Sequence, residues 1–268
     1  MARSRTLTEV HQNDPDNYAF KVNEIYLGDC IEVLKDFPKN FVHLLFADPP
    51  FNLGKDYDVY EDSIGYHEYV DWTGQWIDAC LRVLKEDGSF YIAIGDEFVA
   101  EIALIMKQKQ IPMRNWIIWH YTFGQNMKKK FSRTHTHILY FVGGQGEFTF
   151  NADSVRIPSD RQMKYNDRRA HPTGKVPDDV WEYSRVCGTF NERVDHPCQM
   201  PVSLLERIVL ASSNRNEIVL DPFVGSGTTA VATKKNGRRY IGIDISEKYC
   251  EITKRRLEEI PARLQDFD

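Results

Sequence analysis

No apolar run in this 268-residue chain approaches the roughly 20 residues that a helix needs to cross a bilayer, so no membrane partner is expected. The opening residues, Met1 to Thr6, are polar and lack the apolar stretch of a secretory signal, which makes the cytoplasm the expected location. Cysteine is sparse. Cys30, Cys80, Cys187, Cys198 and Cys250 are scattered, odd in number and without a CxxC pair. That spacing argues against a disulfide framework and a zinc site and predicts reduced, structural thiols. Positive charge is also short. A net charge of -5 argues mildly against nucleic acid, whose phosphates favour a positive surface, although the distribution of charge outweighs its sum. Internal repeats and low-complexity segments are missing too. With 42% hydrophobic and 27% charged residues, the chain can bury one full core, and its length suits one α/β domain carrying an insertion.

Residues 1–22 read as a polar arm. Glu24 to Leu27 predicts a short strand running into Gly28-Asp29-Cys30, followed by a helix that stops near Pro38. The unbroken apolar run Phe41 to Ala47 predicts a strand buried on both faces of a parallel sheet. Residues 68–85 carry Tyr69, Trp72, Trp76, Ile77, Cys80 and Leu84 near a helical period, with Trp72 and Trp76 expected in the core. Gly88 is expected to break the chain before a strand at 89–94. Strand and helix patterns then alternate through 142, lapse from 147 to 195, and resume from 201 to the last helix near Ser246. This alternation predicts a doubly wound, mostly parallel sheet, with 147–195 inserted in it.

Two loops carry chemistry. Asp221 to Thr229, DPFVGSGTT, joins a strand to a helix, and Gly225 and Gly227 let the backbone turn tightly against a ligand. Asp244 ends the next strand, where an acidic side chain can accept hydrogen bonds from ribose hydroxyls. The loop is neither a full G-x-G-x-x-G fingerprint, because Ala230 takes the third glycine's place, nor a P-loop. The second loop, Asp48-Pro49-Pro50-Phe51, closes the buried strand, where α/β folds place active sites. An amino group on a base is a poor nucleophile because its lone pair is delocalised into the ring. Asp48 and the Pro49 carbonyl can each accept one N–H and favour a pyramidal nitrogen. The prolines hold the turn rigid, and Phe51 offers a face for an extruded base.

Together these loops resemble the catalytic and cofactor motifs of the DNA amino-methyltransferases that act on adenine N6 or cytosine N4. Their order, catalytic loop first, resembles the permuted β-class. Tyr26 to Cys30, Leu84 to Phe90, Thr136 to Phe141 and His196 to Pro201 match further segments of that family, so the resemblance spans about 23–258. It implies a Rossmann-like methyltransferase fold with four parts: the arm, a catalytic half at 23–146, a target-recognition insertion at 147–195 and a cofactor half at 196–268. The implied cofactor is S-adenosylmethionine, held by Asp29, Cys30, His196, Pro197, Gln199, Asp221, Phe223, Gly225, Ser226, Gly227, Thr228 and Asp244. No metal is implied. Met200 and Cys198 replace the lysine and threonine of the family's HPTQKP segment.

The implied partner is double-stranded DNA, and the resemblance admits a homodimer. Lys128, Lys129, Lys130 and Arg133 suit phosphates, while Arg156, Arg161, Lys164, Arg168 and Arg169 in the insertion offer base-reading and phosphate contacts. His135 and His137 share a strand face without a third ligand evident in the sequence. An acidic first residue in the catalytic loop favours adenine over cytosine as the target. A silent DNA-binding module would show damage to one of the two loops, and both are intact. The missing third glycine and the Pro-Pro turn disfavour an NAD-dependent oxidoreductase.

Overall fold

The run from Val42 to Ala47 forms the strand its composition predicts, almost wholly buried, and lies near the middle of the sheet. The computed structural model describes residues 20–60, 62–122, 127–144, 146–188 and 190–261. Eight strands lie in one sheet: β1 (Glu24–Leu27), β2 (Val42–Ala47), β3 (Leu84–Ile94), β4 (Met113–His120), β5 (His135–Val142), β6 (Val180–Glu182), β7 (Ile218–Asp221) and β8 (Arg239–Asp244). Their order is β1-β8-β7-β2-β3-β5-β4-β6, and every pairing is parallel except those of β5 with β3 and β4.

Helices α1 (Cys30–Lys35), α2 (Tyr66–Val83) and α3 (Val99–Gln108) cover one face of the sheet. A short α4 (Asp160–Met163) sits in the insertion, and α5 (Val202–Ser212), α6 (Thr228–Lys235) and α7 (Glu247–Glu258) cover the other face. The 3.6-residue periodicity of α2 buries Tyr69, Thr73, Trp76, Ile77, Cys80 and Val83 as one stripe. Of its two tryptophans, Trp76 is fully buried, a contribution of about 2–3 kcal/mol. Ser246 starts α7 by accepting the Tyr249 N–H at 3.2 Å.

Three expectations change. Gly88 lies within β3, because Val42 pairs with Leu84 while Leu44 pairs with Ser89, so the extra residues bulge out of the ladder. The insertion is not irregular throughout: β6 lies within it and pairs with β4 as the edge strand of the sheet. The expected arm falls largely outside the described residues, but Phe20 near its end is buried and stacks on Phe37 at 4.8 Å. Among the described residues no helix is long and apolar enough to cross a membrane.

One pairing positions the site. β2 and β7 run parallel, with Leu44 beside Val219 and Leu45 beside Leu220. The Asp48–Phe51 turn and the Asp221–Thr229 turn therefore leave the same sheet edge side by side. From β2 the chain crosses to β3 on one side, while β7 and β8 extend the sheet on the other. This is the switch point where such sheets form ligand crevices.

Candidate active site

Two clefts open at that edge and share a wall. The first spans about 990 Å³, part of it open to solvent, and is lined by Asp29, Cys30, Asp48, His196, Asp221, Phe223, Gly225, Ser226, Thr228 and Asp244. The second, about 930 Å³, lies between the Asp48–Phe51 turn and β4–β5, where Phe51, Trp119, Tyr121, Arg133, His135 and Arg185 line it. Asp48, Tyr57, Cys198 and Met200 belong to both walls.

Three residues expected to hold the cofactor sit apart from the first cleft. Gly227, at φ +80°, caps α6, and a Cβ there would meet Thr253 of α7 at 2.6 Å, so it serves helix packing. Gln199 is buried and spends its amide on its own loop, accepting from Val194 N–H at 2.9 Å and donating to the Glu192 carbonyl at 2.6 Å. Pro197 lines the second cleft.

The carboxylates at the shared wall and beside it, Asp48 and Asp221, are electrostatically tense. Burial, and then the neighbouring Asp221 charge, push the Asp48 carboxyl well above the ordinary carboxylate range. Burial pushes Asp221 up to about 7, against hydrogen bonds from Thr229 and the Phe223 N–H. Asp48 accepts no hydrogen bond from any described residue. Burial also holds His196 down to about 4, so the ring is neutral near pH 7, and its Nδ1 accepts the Cys198 N–H at 3.2 Å. Asp244 accepts from the N–H groups of Gly225 and Ser246, both at 2.9 Å, and each oxygen keeps a second lone pair for a ligand.

The turn carrying Asp48 is braced from below. Tyr69 donates its hydroxyl to the Pro50 carbonyl at 2.6 Å, while the Pro49 carbonyl takes no donor among the described residues. Buried Asp62 accepts three backbone N–H groups, from Asn52 at 2.6 Å and from Leu53 and Lys55 at 3.0 Å. Asn52, at φ +57°, exchanges two 2.8 Å bonds with the backbone of Ile64. The loop so closed carries Tyr57, Val59 and Tyr60 over the first cleft, and Asp58 accepts the Ser246 hydroxyl at 2.6 Å. Nothing in the apolar pattern marked Asp62 or Tyr57, since a loop has no period. Trp72, expected in the core with Trp76, is instead half-buried in the cleft wall, between Tyr60 at 6.0 Å and Phe223 at 5.7 Å.

The two histidines do acquire a third group. Asp96 lies 3.1 Å from His135 Nε2 and 2.8 Å from His137 Nε2. Trp116 Nε1, which can only donate, points at His137 Nδ1 at 2.9 Å, so the His137 proton sits on Nε2 and is given to Asp96. Arg133 places its Nε on the same carboxylate at 2.8 Å. The cluster is a hydrogen-bonded network in which the arginine supplies the cation. Burial works against ionisation of Asp96, but the His137 hydrogen bond and the Arg133 charge hold its carboxyl below the ordinary range.

Many of the expected DNA contacts already have partners. Arg133 forks onto Glu97 at 2.6 and 3.1 Å. Arg156 pairs with Asp153, Lys164 with Asp160, and Arg161 and Arg169 share Asp167. Lys128, Lys129, Lys130 and Arg168 form no ion pair with a described residue.

The comparisons with known proteins bear on this arrangement. The family model described as DNA methylase matches residues 42–255, which spans both loops and the lining of both clefts apart from Gly28, Asp29 and Cys30. This chain belongs to that family. It is 40% identical over 232 residues to the type II methyltransferase M.HpaI of Haemophilus parainfluenzae, covering 86% of this chain and 73% of the relative. It is 36% identical over 253 residues to the DNA adenine methyltransferase YhdJ of Escherichia coli, covering 91% and 86%. In fold it resembles the cytosine-N4-specific PvuII DNA methyltransferase, with a TM-score of 0.70 at 18% identity over 93% of this chain and 90% of that one.

The chain is therefore a DNA amino-methyltransferase with the Rossmann-like methyltransferase fold, and two solved methyltransferase structures of similar fold hold S-adenosylmethionine. The first cleft fits it physically. Trp72, Phe223 and Tyr60 present aromatic surface for a purine. Gly225, at φ +47°, leaves the cleft open where a Cβ would stand 2.9 Å from His196 Nε2. Asp48 and Asp221, costly to ionise alone, favour a cationic ligand such as a sulfonium.

Proposed function

We propose that this chain methylates the N6 amino group of adenine within a short recognition sequence of double-stranded DNA. The observation that carries the proposal is Asp48, a carboxylate without a donor among the described residues, at the wall shared by the two clefts and beside the Pro49 carbonyl, which likewise takes no described donor. When bound in the first cleft, S-adenosylmethionine supplies a methyl group already activated on its sulfonium. Asp29, Asp244, His196, Cys198 and Met200 hold it there, with Asp221 to Ser226 and Thr228 beneath. An extruded base enters the second cleft against Phe51. Asp48 and the Pro49 carbonyl then accept its two N–H groups, directing the nitrogen lone pair across the shared wall. Because Tyr69 occupies the Pro50 carbonyl, Pro49 is the neighbouring acceptor left for the base. Adenine is favoured by the acidic first residue of the loop and by the 36% identity to an adenine methyltransferase. Residues 147–195 act as the target-recognition segment, and a homodimer is proposed on the resemblance alone.

Modification-detecting sequencing of DNA from cells expressing the chain, with nucleoside mass spectrometry, tests this. N6-methyladenine at one short motif is the expected product. N4-methylcytosine would move the target to the other base. Unmodified DNA together with intact S-adenosylhomocysteine binding would leave a silent DNA-binding module.

A further inference from the structure

The connection between β4 and β5 ends at the lip of the second cleft, and its last residues are unusual. Phe131 is 99% exposed, the barest large apolar side chain among the described residues. Three lysines without a described ion-pair partner, Lys128, Lys129 and Lys130, stand immediately before it. Two residues after it, Arg133 is fastened to Glu97 and Asp96 and itself lines the cleft. Two trans peptide steps limit the Phe131–Arg133 Cα separation to about 7 Å, so the bare ring is tethered at the cleft mouth.

Single exposed apolar side chains are common and need no purpose. Met163 and Tyr165, each 74% exposed, are such cases, because no residue within two positions of either lines the second cleft, whereas Arg133 ties Phe131 to it. Phe131 differs in combining an anchored backbone, adjacent cations and a position beside the cleft proposed to receive the extruded base. Removing a base from a duplex leaves a gap in the stack, and an apolar ring is the side chain type that fills it. The lysines supply the phosphate attraction that brings the ring to the duplex.

We propose, on the reading of this chain as a base-extruding enzyme of duplex DNA, that Phe131 wedges into the stack beside the target adenine and fills the space it vacates. Lys128, Lys129 and Lys130 hold the flanking phosphates while it does so.

The test uses the full-length enzyme and a duplex carrying the mapped recognition site, with 2-aminopurine in place of the methylated adenine. Wild type should brighten the probe as the base leaves the stack. F131A should lose most of that signal, and its kcat/KM on paired DNA should fall about tenfold, the order expected for one stacking contact. A mismatch opposite the target lowers the cost of extrusion and should bring F131A back to within about threefold of wild type. F131W should keep both signal and rate, and S-adenosylhomocysteine affinity should be unchanged in both variants. F131A that brightens the probe like wild type would overturn the wedge, as would equal loss on matched and mismatched duplexes. Failure of the proposed function itself shows separately, as a wild-type enzyme that neither methylates adenine nor brightens the probe.

Discussion

Asp48 and Asp221 face the same cleft with carboxyls raised by burial, so their titration belongs to the mechanism. A protonated Asp48 donates a hydrogen bond where the base needs an acceptor. Methylation should therefore be lost as pH falls through the raised Asp48 value. The acid limb of kcat/KM is expected above the usual carboxylate range of about 4. Asp221→Asn removes the charge that helps raise Asp48, and the limb should move to lower pH. A limb that stays in place in this variant would separate the two groups. Asp48→Ala should abolish methylation while calorimetric binding of S-adenosylhomocysteine stays within about threefold of wild type, a shift under 1 kcal/mol. Asp48, its prolines and Phe51 were legible in the sequence because a D-P-P-F turn after a buried apolar run is a local pattern. The electrostatic coupling to Asp221 was not, since it depends on two strands meeting.

Among the elements, the loop from Asn52 to Ile64 links the two clefts, and one buried carboxylate closes it. Asp62→Ala would strand three N–H groups, each costing about 1 kcal/mol or more when left unpaired. Urea unfolding should show a loss of about 2–3 kcal/mol. Cofactor affinity should drop at least about tenfold, because Tyr57, Val59 and Tyr60 lose their platform. Asp62→Asn keeps one acceptor oxygen and should recover part of both losses. The glycines of the cofactor turn separate in the same way. Gly227→Ala collides with Thr253 and should lower stability by about 2 kcal/mol, whereas Gly225→Ala pushes toward His196 and should weaken cofactor binding first. Helix α2 was visible from its period, yet that period could not tell which tryptophan faces a cavity. Trp76 points into the core and Trp72 into the cleft wall.

Across the whole molecule, net negative charge coexists with local positive charge. Four of the expected basic DNA contacts in the insertion are neutralised by neighbouring aspartates, while the lysines before Phe131 have no described ion-pair partner. Replacing Lys128, Lys129 and Lys130 with Ala should flatten the slope of log K against log salt by up to about 3, near one unit for each lost phosphate contact. Arg161→Ala with Arg169→Ala should change that slope less, because their charge is already spent on Asp167. Fluorescence anisotropy across a salt series distinguishes these outcomes.

By itself, the sequence determined the alternation of strands and helices, the two loops and their permuted order, because each is written in neighbouring residues. Only the tertiary structure decided what those loops face. The parallel pairing of β2 with β7 sets Asp48 beside Asp221, and residues 180–182 join the sheet as its edge. The cleft walls come from Tyr57, Tyr60, Trp72, Trp119 and Tyr121, which lie far apart in the chain or on unpatterned loops. Local propensity is a property of short segments. Which side chains share a cavity depends on strand order and on the charges and volumes that packing brings together, and no window of neighbouring residues contains that information.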